Sequence, residues 1–172
     1  YNHPDLGGCI GEGCKVIGGY NAINPSVSIL DDHSGQHGTG VAGIIAAKSE
    51  VLQGVAPEVS LYGIKVLNKT GQGWQSDILE GLNWALNPDG DPATSDNIDI
   101  INMSLGGGAF IPSFYNIVKS AERLGTSIVV AAGNDGSTQL NQFALVEETV
   151  VVGAVNDNDV LASFSSWGPG KG

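Results

Sequence analysis

A histidine at position 37 opens "HGTGVAGIIAAK", where a polar lead-in turns into an apolar helix within one turn. Imidazole is the side chain whose ordinary pKa lies closest to neutrality, so His37 is the first residue to weigh as a proton carrier. In the first turn of a helix the macrodipole disfavours imidazolium and favours the neutral base. The same position also suits a histidine that only caps the helix. Gly38, Gly40 and Gly43 follow at once, and each glycine in a helix interior costs ~1 kcal/mol relative to alanine. That cost implies close approach of the backbone to something. With Val41, Ile44, Ile45, Ala46 and Ala47 around the glycines, the helix is apolar nearly all round and is expected to be buried.

Three other clusters carry chemistry. "NPDGDPATSDNID", residues 87–99, sets Asn87, Asp89 and Asp91 at alternate positions, with Asp96 and Asp99 beyond. Alternating oxygens around a tight turn suit a hard cation, so a structural calcium on Asn87, Asp89, Asp91 and Asp96 stands beside a solvated acidic loop as the two readings. The spacing is not that of an EF-hand, since Ile98 stands where the closing glutamate belongs. Cys9 and Cys14, in "GGCIGEGCK", either close a disulfide in an oxidising compartment or remain two loop thiols; a zinc site would need a second ligand pair. Gly106, Gly107 and Gly108 follow an apolar run, but Ile111 replaces the third glycine of a dinucleotide fingerprint and a Lys-Ser/Thr pair is absent.

The elements that position these residues alternate in type. Residues 59–67 read as a buried strand and 98–104, 126–133 and 149–155 as strands; 76–86 and 112–125 read as helices, the second closed by Gly125. β-Branched runs separated by helices imply right-handed crossovers and an α/β fold, a doubly wound, mostly parallel sheet with helices on both faces. Ligands in such folds gather beyond the carboxyl ends of strands, where "SLGGG" at 104–108 and "AAGND" at 131–135 stand.

The chain has 172 residues, 41% apolar and 15% charged, which suits one globular domain. Its net charge of −11 and pI near 4.3 argue against nucleic acid or an anionic membrane surface as partner. No apolar run reaches the ~18 residues of a membrane span. The opening "YNHPDLGG" has neither an initiator methionine nor a signal peptide and reads as a start inside a longer polypeptide.

Five segments in order, "HGTGVAG", "GVAPEVSLYGIKVL", "INMSLGG", "VVAAGND" and "ASFSSWGPG", resemble the subtilases, the subtilisin-like serine endopeptidases, along nearly the whole chain. The resemblance implies a subtilisin-like three-layer fold, present in part, and a secreted peptidase that needs no cofactor for its chemistry. It makes His37 the general base and Asn134 the oxyanion-hole donor. It makes Gly71-Gln72-Gly73 and Ser104-Leu105-Gly106 two extended edges between which a polypeptide substrate lies as an added strand. By the same resemblance the triad aspartate belongs before Tyr1 and the serine after Gly172. Ser104, Ser163, Ser165 and Ser166 do not substitute, and Asp31 and Asp32 read as loop carboxylates. Alone, the 172 residues are therefore expected not to hydrolyse peptides and to be marginally stable, with unpaired sheet edges. The rival reading is a pseudoprotease or peptide-binding module. "AAKSEVLQGVAP" is shorter than the matching loop of secreted bacterial relatives, which counts against the family's usual calcium site although Asp5 matches one ligand.

Overall fold

The computed structural model describes residues 1–109 and 111–168; the final "PG" of "ASFSSWGPG" lies outside the described residues. The chain divides into two compact units, Tyr1–Trp84 and Ala85–Gly172. Each is α/β, and each has its own parallel sheet.

The first unit is built on β1 (Val16–Asn21), α1 (His37–Ala46), β2 (Leu61–Lys65) and most of α2 (Gln75–Leu86). β1 and β2 are parallel, with Gly19 opposite Gly63 and Tyr20 opposite Ile64. β1 was not among the strands expected, because "VIGGYN" spends two of its six positions on glycine. Their cause is steric: a Cβ on Gly19 would lie 2.0 Å from the Gly63 carbonyl oxygen and 2.6 Å from the Ile29 side chain. α2 packs on β2 through Gly81, where a Cβ would meet Ile64 and Val66 at 2.8 and 2.7 Å. Trp84 stacks on Tyr20 and meets Tyr62 edge-on. Ahead of β1, Cys9 and Cys14 are joined in a disulfide with Cα atoms 5.7 Å apart, across a turn closed by the Cys14 N–H donating to the Gly11 carbonyl.

The burial expected for α1 is not observed. Only Ala46 is buried, and Ile44 is 71% exposed. A Cβ on Gly40 or Gly43 would meet no atom of the described residues. The close approach is made at the other end of the helix by a residue outside it. Gly54 lies so near that its Cβ would sit 2.6 Å from the Ala46 nitrogen, and the N–H groups of Gly54, Val55 and Ala56 donate to the carbonyls of Ala47, Ile44 and Ile45. These bonds satisfy acceptors that a helix end leaves open.

The second unit contains β3 (Ile100–Met103), α3 (Pro112–Leu124), β4 (Ser127–Ala131) and β5 (Val150–Val152), with the sheet order β3-β4-β5, all parallel. α3 begins at Pro112 and stops at Gly125, whose φ of 79° is the left-handed cap that glycine adopts without strain. Its buried face, Phe114, Ile117, Val118 and Ala121, follows the helical period. Phe114 meets Phe143 edge-on, ring centroids 4.8 Å apart, in the core of this unit. Among the described residues, no helix is long and apolar enough to cross a membrane.

Candidate functional site

His37 is the first residue of α1 and is exposed; its ring makes no hydrogen bond among the described residues. The turn that carries it is held from outside the helix. Gln36, at the cap position, is left-handed (φ 45°) and contributes no side-chain cap. Asp31 does so instead. Its carboxylate accepts from the Thr39 N–H at 2.8 Å, the Thr39 hydroxyl at 2.9 Å and the His33 N–H at 3.3 Å. Thr39 is the third helical residue, whose N–H is a usual target of a capping oxygen. Partial burial pushes the Asp31 pKa up, but the Thr39 and His33 hydrogen bonds and the Lys65 charge outweigh it and leave the group below its ordinary value. Asp32 pairs with Lys65 at 2.5 Å, and that contact lowers its pKa. Both are loop carboxylates, as the sequence implies, yet the capping role of Asp31 was missed. The only signal was an acid shortly before a helix that lacks a capping side chain.

In the same unit, Gly71 (φ 75°) closes a turn rather than extending a strand: its N–H donates to the Asn68 carbonyl, and the Asn68 N–H donates to the Gln72 carbonyl. The Asn68 side-chain oxygen accepts from the Thr70 and Gln72 N–H groups and from the Thr70 hydroxyl. Gly73 is required sterically, since a Cβ there would lie 2.1 Å from the Val66 carbonyl oxygen. Gly71, Gln72 and Gly73 are all exposed.

In the second unit, Ser104, Leu105 and Gly106 follow β3, and two amide side chains that sequence reasoning missed fasten this segment and the Gly107 that follows it. Asn141 donates to the carbonyls of Leu105 (2.7 Å) and Ala131 (3.2 Å), linking the segments that leave β3 and β4. Gln142 accepts from the Gly107 N–H at 3.1 Å and donates to the Gly107 carbonyl, reproducing a strand-like pair with one side chain. Gly106 has no room for a Cβ, which would lie 2.6 Å from the Asn141 amide nitrogen.

Asn134 is exposed just beyond β4. Gly133 ahead of it has φ 118°, and the two flanking residues are bound to Ser166, whose N–H donates to the Gly133 carbonyl (3.0 Å) and whose hydroxyl accepts from the Asp135 N–H (3.3 Å). A carboxamide presented from such a loop is a hydrogen-bond donor free to meet developing negative charge.

The acidic loop closes on itself. The Thr94 hydroxyl reaches both Asp89 oxygens at 3.1 Å and the Asp91 carbonyl at 2.9 Å, and Asp96 accepts from the Asp89 N–H at 3.0 Å. The Asn87 side-chain oxygen is buried without a hydrogen-bond partner in the described residues. Among the described residues, no group of three His, Cys, Asp or Glu side chains is arranged to hold a metal ion.

The sequence pattern of the subtilase family matches residues 1–171. Over 173 aligned residues and 97% of the chain, it is 41% identical to subtilisin DY of Bacillus licheniformis and 39% identical to subtilisin E of Bacillus subtilis (strain 168). It is also 37% identical over 193 residues to the serine protease AprX of Bacillus subtilis (strain 168), covering 98% of the chain. The alignments take in 57% of subtilisin DY, 41% of subtilisin E and 40% of AprX, so the chain spans less than two thirds of each.

Proposed function

The chain belongs to the subtilase family, and from that premise we propose that it supplies the base and the oxyanion donor of a secreted serine endopeptidase. In this reading His37 takes the proton from a serine hydroxyl as that oxygen attacks a peptide carbonyl, then passes it to the leaving amine. The Asn134 carboxamide donates to the oxygen that becomes negative in the tetrahedral intermediate. Ser104-Leu105-Gly106 offers main-chain groups to an extended polypeptide, and the exposed Gly71-Gln72-Gly73 turn offers it a glycine surface that backbone can approach closely; the two give affinity with little sequence selectivity.

The observation that carries the reading is the family match along residues 1–171, with a histidine heading α1 and an asparagine leaving β4. The disulfide is consistent with an extracellular setting, and one relative is named an extracellular protease, Epr of Bacillus subtilis.

By resemblance, neither the nucleophile nor the triad acid is among these 172 residues, so the isolated chain is expected to be inactive. The test is labelling with a fluorophosphonate, which reacts with an activated serine. The intact protein containing this chain is expected to label and the 172-residue chain is not. Failure of a folded intact protein to label would favour a peptide-binding module; labelling of the isolated chain would show that the nucleophile had been missed.

A further inference from the structure

We propose that Ser166 is the positioning residue for the Asn134 carboxamide, gripping the loop on both sides of Asn134 with its backbone and its hydroxyl; the inference rests on the oxyanion reading above. "ASFSSWGPG" otherwise has no role in that reading. The Asn134 side chain makes no hydrogen bond among the described residues, so the backbone that carries it is what fixes the point from which the carboxamide reaches. Ser166 holds that backbone. It is 1% exposed, donates its N–H to the Gly133 carbonyl at 3.0 Å and accepts the Asp135 N–H on its hydroxyl at 3.3 Å.

Ser166 is itself anchored. The Ser165 hydroxyl donates to the Ser166 carbonyl at 3.1 Å and accepts from the Ala154 N–H at 3.0 Å, just beyond β5. β5 pairs with β4, and β4 leads into the Asn134 loop. Two outer bonds brace the loop further, from the Gly136 N–H to the Phe164 carbonyl (2.8 Å) and from the Trp167 N–H to the Ser137 carbonyl (3.0 Å). Neighbouring segments leave no slack: a Cβ on Gly133 would lie 3.0 Å from the Ser166 hydroxyl oxygen, and one on Gly136 would lie 2.6 Å from the Ser163 carbonyl oxygen. A donor fixed before reaction needs no reorganisation as charge develops, which is the source of its catalytic value.

Any residue except proline can supply the backbone bond from position 166. The bond to the Asp135 N–H needs a hydroxyl, so Ser166→Ala deletes one defined constraint. In the intact protease, Ser166→Ala is expected to lower kcat by ~10-fold to 10²-fold with KM nearly unchanged, the signature of a misplaced transition-state contact. Introduced into Asn134→Ala, the same substitution is expected to cause almost no further loss, because the group it aims is gone. Equal losses in both backgrounds would overturn the positioning role while leaving the oxyanion reading intact. An Asn134→Ala variant with undiminished kcat would instead refute that reading, and the inference with it. If Ser166→Ala does not fold, amide hydrogen exchange on the unsubstituted protein decides. The Asp135 amide is expected to be as protected as that of Ala154, and exchange at the open-chain rate would overturn the proposal.

Discussion

Asp31→Ala tests whether the turn carrying His37 is held by a carboxylate six residues away in sequence. The substitution removes the acceptor of three hydrogen bonds, from the Thr39 N–H, the Thr39 hydroxyl and the His33 N–H. Loss of a helix cap costs ~0.5–2 kcal/mol, and a hydrogen bond to a charged acceptor contributes ~1.5–3 kcal/mol. Asp31 is only partly buried, so water replaces some of what is lost, and the expected destabilisation is about 1–2 kcal/mol. At ~2–4 °C per kcal/mol for a chain of this size, the melting temperature falls by about 2–8 °C at pH 7. The pH dependence follows from the lowered folded-state pKa. The carboxylate's contribution is fully present above the ordinary aspartate value and disappears as pH falls through the lower folded value, so wild type and variant converge in acid. Asp32→Ala is the control, since its carboxylate is half exposed and, among the described residues, pairs only with Lys65; it should melt with the wild type. The assay is thermal unfolding followed by circular dichroism. Equal melting of Asp31→Ala and Asp32→Ala at pH 7 would refute the cap.

Gly40→Ala in this chain is expected to raise stability by ~1 kcal/mol, because its Cβ meets no described atom and alanine favours the helix; a lower melting temperature would mean that something covers that face. Gly106→Ala should lower it by ~1–3 kcal/mol, since its Cβ would displace the Asn141 amide from the Leu105 carbonyl; unchanged unfolding would contradict the clash. Chelator is expected to leave the melting temperature of the chain unchanged, because the acidic loop is closed by its own hydrogen bonds. A fall on chelation that calcium reverses would place a cation there.

Where a local pattern and the tertiary environment agreed, the sequence was legible. α3 is the clearest case, with proline at its start, glycine past its end and an apolar stripe between. β2 to β5 lie inside their expected runs, trimmed where the chain leaves the sheet, although β2, expected to be buried, contains no buried residue. β1 was hidden because its glycines answer to the close approach of β2, a contact made 44 residues later. α1 misled in the opposite sense. Its apolar surround implied burial, but composition reports which residues seek cover rather than which of them have it. Its missing cap was equally opaque, because Asp31 reaches the helix through folding of the loop between them. In the acidic loop, an aspartate oxygen that accepts an N–H two residues on has the same spacing as a cation ligand. Spacing alone therefore left both readings open. At the site, motifs exposed His37 and Asn134 individually, while the residues that fasten the neighbouring backbone, Asn141, Gln142 and Ser166, act through contacts that no local pattern encodes.

If His37 moves the proton as proposed, steady-state kinetics of His37→Ala in the intact protein containing this chain reveal it with the least ambiguity. The expected result is a fall in kcat of order 10⁶ with little change in KM, the size of loss measured on subtilisin. A folded His37→Ala protease that retained kcat within about tenfold of the wild type, far above the residual activity expected without the base, would contradict it.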